Sequence, residues 1–174
     1  TWALKTLATG NGVAWMNFFN YTAFNQRDYL ISPPMDLTGM EEVKLSFEYA
    51  YAQRFAQIDS LIISVSTDCG STWQRVYANG PDGNGAFETA PPSTASFEPA
   101  SLNEWCVGDM DWASCPVIDL NPFTNMKGVK IRFETFNQYG NNLYIDNIFV
   151  SALLTNAEND RKPQALSVYP NPAK

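Results

Sequence analysis

The sequence contains no histidine at all, and this absence removes whole classes of catalytic site. Ser-His-Asp and Cys-His systems need an imidazole as general base, and the common catalytic zinc sites need one as a ligand. Basic residues are also few, since 11 Lys and Arg stand against 18 Asp and Glu, for a net charge of −7. Nucleic acids and anionic membranes require a basic surface, so we expect neither as a partner.

Long apolar runs are missing too, and so is a signal-like start. No stretch of 18 consecutive apolar residues occurs, so the sequence predicts no transmembrane segment. The opening letters TWALK do not form a signal peptide, and we expect further chain upstream in the natural protein. What is present, 45% hydrophobic and 14% aromatic residues in a chain of 174, is enough to bury one ordinary core.

Alternation of apolar and polar residues is the dominant pattern. It is clearest over 43–51 and 128–136, and it predicts half-buried antiparallel strands. Residues 58–65 are more continuously apolar and predict a central strand that is covered on both faces. In all we predict eight strands, over 13–19, 28–32, 43–51, 58–66, 72–78, 116–119, 128–136 and 143–151. Because no helical period is sustained, the sequence predicts an all-β, two-sheet antiparallel β-sandwich of the jelly-roll type, with almost no helix.

The three cysteines form an odd count. Cys106 and Cys115 lie nine residues apart in a long polar loop, 79–115, and we expect them to form a disulfide. Cys69 then remains free or buried, although its pairing with either of the other two stays open. Loops as long as 79–115 are usually functional or are held in place by local chemistry.

Residues 66–73 read STDCGSTW and fit the Asp-box pattern S-x-D-x-G-x-T-W of certain β-hairpins. We expect Asp68 to cap the turn with its carboxylate and Gly70 to supply a positive φ. Trp73 should pack beneath the hairpin. A single box of this kind predicts a well-made hairpin and not a binding site.

Asp146 is the most unusual single position, because it lies between the apolar residues of 143–145 and 148–150. Burial of an unpaired carboxylate is costly, so this side chain must be ion-paired, hydrogen-bonded or bound to a metal ion. The alternative to a metal ion is a carboxylate that accepts bonds from backbone N–H groups at a sheet edge.

Four phrases of the sequence together resemble one family. They are 29–37 (YLISPPMDL), 43–52 (VKLSFEYAYA), 59–73 (DSLIISVSTDCGSTW) and 140–150 (GNNLYIDNIFV). In this order and spacing they resemble the cleaved-adhesin and choice-of-anchor jelly rolls, which are related in fold to MAM domains. The resemblance implies one jelly-roll domain over 1–152. It also implies that this domain accompanies a catalytic domain, such as a peptidase, in secreted proteins of Bacteroidetes.

The last residues resemble a second element. Residues 168–173 read VYPNPA and are similar to the opening of the C-terminal sorting domain of type IX secretion cargo. The resemblance implies a secreted or outer-membrane surface-anchored protein, in which the sorting domain begins at 168–174 after a polar linker over 153–167. We expect 153–174 to be poorly ordered, because a strand without its sheet partners cannot satisfy its backbone groups.

The family resemblance also implies a structural calcium ion. In related jelly rolls the aspartate of the closing phrase binds calcium, and Asp146 occupies that place. Calcium takes six to eight oxygen ligands, many of them backbone carbonyls, so few can be read from a sequence. Further ligands are expected from the N-terminal region, with Asn17 or Asn20, and from Asp36. Asp36 and Asp59 are weaker candidates, since turn capping accounts for both.

The aromatic residues of the long loop allow two interpretations. Trp105 and Trp112, with Phe87, Phe97 and Tyr77, could form a sugar-stacking platform. Alternatively they pin the loop onto the sandwich, which is favoured because large aromatic side chains are mostly buried for their area.

Together these features predict a non-catalytic, adhesin-like accessory domain with a structural calcium ion. Its expected partners are a host or environmental protein or glycan and the rest of its parent protein. One alternative is a dedicated carbohydrate-binding module, which would show an exposed row of aromatic rings. A glycosidase or lyase is a further alternative, with paired carboxylates such as Glu88 with Glu98 or Asp111.

Overall fold

The computed structural model describes residues 1–57, 59–80, 87–108 and 114–154, together with the backbone of 164–167. These residues form the strands β1 (Ala3–Thr6), β2 (Gly12–Met16), β3 (Arg27–Ile31), β4 (Met40–Tyr51), β5 (Ser60–Ser66), β6 (Gln74–Asn79), β7 (Val117–Asp119), β8 (Lys130–Phe136), β9 (Leu143–Leu154) and β10 (Gln164–Ser167). Two single-turn 3-10 helices, Leu102–Glu104 and Asn121–Phe123, are the only helical elements in the described part of the chain. None of its helices is long and apolar enough to cross a membrane.

The strands form two antiparallel sheets. One has the order β1-β2-β9-β4-β7, with β10 also paired to β9, and the other has the order β3-β8-β5-β6. The pairs β2–β9, β3–β8, β4–β7 and β5–β6 are all antiparallel, so the chain is folded like one long hairpin that is wound into two layers. This nested pairing is the jelly-roll arrangement, and the predicted two-sheet β-sandwich is confirmed.

The structure contains two strands that the sequence did not predict. β1 has four mostly exposed residues and no clear alternation, so its own sequence carries little strand signal. β10 lies within the predicted linker 153–167 and pairs with β9 at Phe149–Ala152, while β9 itself continues to Leu154. Both short strands form because they pair with a neighbouring strand in the sheet. Such pairing cannot be read from the local sequence. The predicted sorting segment 168–174 lies outside the described residues.

The main core lies between the two sheets. β4 and β9 contribute most of one layer, and β5, which is buried along its whole length as predicted, lies in the middle of the other. The inward-facing residues of β4 are Val43, Leu45, Phe47, Tyr49 and Tyr51, all of which are fully buried. Their strict two-residue period is the pattern from which the strand was predicted.

A β-bulge in β9 changes the face on which its residues lie. Ile145 and Ile148 both face the core, although strict alternation would place them on opposite faces. Asn147, with a φ of 48°, is the extra residue, and the pairing with β4 shifts at the same point. Before the bulge, Asp146 lies opposite Glu48 of β4. Because of the bulge, apolar side chains on both sides of it face the core, while Asp146 lies on the outer face of the sheet.

The long loop between β6 and β7 completes the edge of β4. The backbone N–H of Thr89 donates to the carbonyl oxygen of Tyr51 at 2.8 Å, and that of Cys106 donates to the carbonyl oxygen of Tyr49 at 2.9 Å. β7 is only three residues long and pairs with the other part of β4. The loop therefore supplies the hydrogen bonds to β4 beyond the end of β7. A disulfide joins Cys106 to Cys115.

The loop also covers one end of the outer face of the β1-β2-β9-β4-β7 sheet. It places aromatic and small side chains there in a second buried cluster, formed by Leu7, Val13, Ala50, Ala52, Ala90, Phe97, Trp105 and Tyr144. This end of the sheet is therefore covered on both faces, and the loop is part of the fold.

The hairpin between β5 and β6 has the predicted Asp-box construction. The Asp68 carboxylate accepts hydrogen bonds from the backbone N–H and the hydroxyl of Thr72, at 2.8 and 2.6 Å. These bonds, with a further one from Ser66, lower the pKa of Asp68 to about 2. Trp73 donates from Nε1 to the carbonyl oxygen of Gly70, which has a φ of 98°. Cys69, in the same turn, is free and exposed.

Candidate functional site

Asp146 lies in a pocket of about 270 Å³ on the outer face of the larger sheet. Polar side chains of β4, β9, the β1–β2 turn and the long loop line one part of it: Thr9, Asn11, Glu48, Ser101, Asp146 and Asn147. Leu7, Pro99, Leu102 and Trp105 form the apolar part. The fold thus brings together residues that are up to 140 positions apart, from Leu7 to Asn147.

Both oxygens of the Asp146 carboxylate accept hydrogen bonds. Nδ2 of Asn11 donates to Oδ2 at 2.7 Å, and the backbone N–H of Asn147 donates to Oδ1 at 2.8 Å. The residue is 7% exposed, so these two donors offset part of the cost of burying its charge. The second donor exists because of the bulge, which turns the N–H of Asn147 back toward the preceding side chain.

Two predicted calcium ligands do not join Asp146. Asn20 lies in the loop after β2, where its amide donates to Oδ1 of Asn17 at 3.3 Å. Asp36 caps a turn by accepting from the backbone N–H of Thr38 at 2.9 Å, and it lies 3.6 Å from the ammonium of Lys127. Local turn chemistry accounts for both side chains, so the predicted set of Asp146, Asn20 and Asp36 is not assembled.

The residues that share the pocket carry the oxygen ligands that a hard cation prefers. Glu48 and Asp146 offer two carboxylates, and Thr9, Asn11 and Ser101 offer hydroxyl and amide oxygens. Calcium prefers such oxygen ligands. In the described residues no group of three or more His, Cys, Asp or Glu is placed to hold a metal ion. A calcium ion here would therefore depend on backbone carbonyls and neutral oxygens as well as the two carboxylates.

A second buried carboxylate, Asp59, anchors a distant loop. Its Oδ1 accepts from the backbone N–H groups of Gln138 and Gly140 at 2.7 and 3.3 Å, and its Oδ2 accepts from the hydroxyl of Tyr51 at 3.1 Å. Burial raises the pKa of Asp59 to about 6, although these donors act in the opposite direction. A Cβ atom on Gly140 would lie 2.2 Å from Oδ2 of Asp59, so this position requires glycine.

The raised pKa of Asp59 predicts a loss of stability as pH rises. The unfolded chain loses this proton near pH 4 and the folded chain near pH 6, so the contribution is complete below pH 4 and is lost by pH 6. We expect the stability of the natural chain relative to Asp59→Asn to fall by about 3 kcal/mol across this window. Urea unfolding at pH 4, 5, 6 and 7 measures it. Asp36→Asn is the control, because the pKa of Asp36 is lowered, so the stability difference for this variant should stay nearly constant from pH 5 to pH 7 and change only toward lower pH. A pH-independent difference for Asp59→Asn would contradict this assignment.

The carboxylates considered for glycoside hydrolysis have structural partners. Glu98 forms an ion pair with Lys5 and accepts from the backbone N–H of Ala8 at 3.1 Å. Glu88 accepts from the backbone N–H of Phe87 at 3.1 Å. Asp111 lies outside the described residues.

The aromatic side chains of the long loop are packed. Phe87 is 1% exposed, and its ring stacks on those of Tyr49 and Tyr51 with centroids 5.4 and 4.4 Å apart. Phe97 and Trp105 are each 7% exposed in the outer cluster. Buried rings have no free face for a sugar, so these residues pin the loop and do not form an exposed platform. Trp112 lies outside the described residues.

A cleft of about 320 Å³ lies where the two sheets end side by side. β1 and β3 are the edge strands there, and the walls are apolar: Trp2, Ala3, Leu4, Ala14, Leu30, Ile31, Ser32, Pro33, Phe133 and Ile148. Leu4 and Ile31 are 75% and 48% exposed. The lining contains no titratable side chain, so the cleft offers contact area but no acid–base chemistry.

A cluster of aromatic side chains at one end of the sandwich was missed by the sequence analysis. We call it the aromatic end, and it comprises Phe19, Phe24, Arg54, Phe55 and Tyr139. Its residues come from three loops, so no single stretch showed a pattern. The composition of 17–26, 52–57 and 137–142 was the available signal, because these segments are rich in amide and aromatic residues and contain no Asp or Glu.

Comparison with solved structures finds the crystal structure of the K2 cleaved adhesin domain of Lys-gingipain. The two chains are 20% identical, with a TM-score of 0.45, and the match covers 80% of this chain and 71% of the other. No protein-family model and no curated protein matches the sequence.

Proposed function

We propose that this chain is a non-catalytic, adhesin-like accessory domain of a secreted or surface-anchored protein. Its role is contact with a protein, a surface or a glycan, including other parts of its own parent protein. The observation that carries the proposal is the pair of exposed contact surfaces, the apolar cleft and the aromatic end, which contain no carboxylate or thiol. The four phrases that resemble the cleaved-adhesin jelly rolls support the same role.

The competing proposal is a glycosidase or lyase. Glu48 and Asp146 are the described carboxylates that share a pocket, so an enzyme on this fold would use them. We expect no turnover of a panel of chromogenic glycosides, or of soluble polysaccharides followed by reducing-end release. Turnover that disappears in Glu48→Gln or Asp146→Asn, while Asp36→Asn retains it, would overturn the accessory role.

We also propose that the Asp146 pocket binds one structural calcium ion. The pocket supplies two carboxylates and several neutral oxygens, and Asp146 is buried without a lysine or arginine among the residues that line the pocket. The ion would neutralise the two acidic groups on adjacent strands and hold the β1–β2 turn against the long loop.

Calcium is expected to raise the melting temperature of the metal-free protein. At a hundredfold excess over Kd, binding to the folded state alone contributes about 2.7 kcal/mol. For a chain of this size each kcal/mol is worth roughly 2–4 °C, so the shift should be several degrees. Scanning calorimetry after EDTA treatment and dialysis, with and without calcium, measures it.

Matched variants locate the ion. Asp146→Asn and Glu48→Gln should each reduce the shift strongly, whereas Asp36→Asn should leave it intact because Asp36 lies in a separate turn. An unchanged melting temperature for demonstrably metal-free protein on addition of calcium would contradict the proposal.

A further inference from the structure

Three loops meet at one end of the jelly roll. They join β2 to β3, β4 to β5 and β8 to β9, and the nested strand pairing brings all three to the same end. Hydrogen bonds tie them together. Nδ2 of Asn137 donates to the carbonyl oxygens of Ala23 and Tyr21 at 2.6 and 2.9 Å, and Nη1 of Arg54 donates to that of Phe19 at 3.2 Å. The loops therefore form one preformed surface.

Aromatic rings surround a single guanidinium group on this surface. Cζ of Arg54 lies 4.0 Å from the ring centroid of Phe19 and 4.9 Å from that of Tyr139. Phe24 packs edge-on against Tyr139, with centroids 5.6 Å apart. Phe24 and Phe55 are nevertheless 53% and 63% exposed. Arginine thus holds the rings in place while two phenylalanines remain open to solvent.

The backbone of the aromatic end is strained at two bulky residues. Phe55 has a φ of 52° and Tyr139 a φ of 61°, a region that aromatic residues rarely adopt. Phe55 follows Arg54 in a tight turn that is closed by the Gln57 N–H to Arg54 carbonyl bond of 3.0 Å, where glycine or asparagine is the usual choice. An exposed phenylalanine does not stabilise such a turn. Strain of this kind is characteristic of functional sites.

Amide side chains flank the rings. Nε2 of Gln138 donates to Oδ1 of Asn25 at 2.9 Å, and Gln26 contacts the carbonyl oxygen of Phe24 at 3.5 Å. Each amide carries both donors and an acceptor, which suits neighbouring hydroxyl groups. The exposed part of the three loops contains one arginine and no Asp or Glu, because their one acidic residue, Asp59, is fully buried. The surface is therefore built for a ligand that is rich in hydroxyls.

We propose that the aromatic end binds a saccharide. The exposed faces of Phe24 and Phe55 would stack on the C–H face of sugar rings, and the amides of Asn25, Gln26 and Gln138 would bind the hydroxyls. This inference rests on the proposed contact role and names its ligand class. A protein partner is less well matched, because so many amide groups would each need a precise partner when they are desolvated. The single cation permits both neutral and uronic-acid sugars.

Affinity electrophoresis in native gels tests the proposal directly. The whole chain is run in gels that contain soluble mannan, xylan, mixed-linkage glucan or polygalacturonate, and in a gel without polymer. We expect retardation by at least one polymer. The neutral polymers and polygalacturonate, each at two salt concentrations, distinguish stacking and hydrogen bonding from attraction to Arg54.

Three variants separate binding from folding. Phe24→Ala and Phe55→Ala should each weaken the measured affinity by about tenfold, because each removes one stacking face. Phe55→Gly should weaken it equally while its melting temperature is unchanged or higher, since glycine accepts the positive φ. Phe149→Ala, which removes a 42% exposed phenylalanine from β9, is the matched control and should bind normally.

The outcomes decide between classes of ligand. Retardation that the three loop variants reduce and the control retains supports the saccharide site. No retardation by any of the polymers overturns it, and so does retardation that the loop variants leave unchanged. Binding of immobilised casein but of no polymer, weakened by Phe24→Ala, overturns the saccharide assignment and leaves the contact role in place.

Discussion

Replacing Asp59 by alanine is expected to lower the free energy of unfolding by about 3–5 kcal/mol, because it removes the acceptor of three buried donors. The Tyr51 hydroxyl and the backbone N–H groups of Gln138 and Gly140 all donate to this carboxylate. Asp59 is fully buried and Gly140 is buried, so water does not readily replace the lost acceptor. Urea unfolding at pH 4, where the folded state retains the Asp59 proton, followed by tryptophan fluorescence, measures the change.

Two further variants define what this prediction depends on. Asp36→Ala removes an exposed aspartate that is bonded only within its own turn and to Lys127, and it should destabilise the fold far less than Asp59→Ala. Gly140→Ala disturbs the same contact from the other side, since its Cβ would overlap the Asp59 carboxylate. A cost below 1 kcal/mol for Asp59→Ala would mean that the loop over 137–142 is not held by this side chain.

The fold was predictable because its information is local. Strict alternation in β4 and β8 marks one buried face, and the continuous apolar run of β5 marks two. β1 and β10 were not predicted, because each has only four residues and forms through its pairing with β2 or β9. The jelly-roll type was predicted from the number of strands and agreed with the family resemblance, whereas periodicity carries no information on which strands pair.

The site was predictable only in part, for a related reason. The apolar surroundings of Asp146 in the sequence identified it as an unusual carboxylate, and it is buried. Its neighbours Asn11 and Glu48 come from the β1–β2 turn and from β4, and no local pattern connects them with it. The partners of Asp59 could not be predicted for the same reason. The local sequence suggested turn capping, whereas two hydrogen-bond partners of Asp59 lie 79 and 81 residues further along the chain.

Replacing Phe47 by alanine is expected to destabilise the fold by about 3–5 kcal/mol, since it opens a cavity at the point where the two sheets meet. Phe47 is 1% exposed. Its ring lies 5.1 Å from that of Phe133 in β8 and 6.3 Å from that of Tyr77 in β6, both edge-on. These contacts join the sheet of β4 to the opposite sheet, and β4 and β8 cannot move inward easily because each is paired with a strand on both sides. Guanidinium or urea unfolding measures the loss, with the unfolding slope expected to stay unchanged.

Phe149→Ala is the matched control for this prediction, because it deletes the same side chain from the neighbouring strand on the solvent-facing side. Phe149 is 42% exposed and lies outside the buried core, so its removal should cost about 1 kcal/mol or less. The contrast between two phenylalanines on the neighbouring strands β4 and β9, near the bulge but on different faces of the sheet, isolates the effect of burial from that of strand propensity. Equal costs for the two variants would contradict a core that is closed between the sheets at Phe47, and would require the outer face at Phe149 to be covered as well.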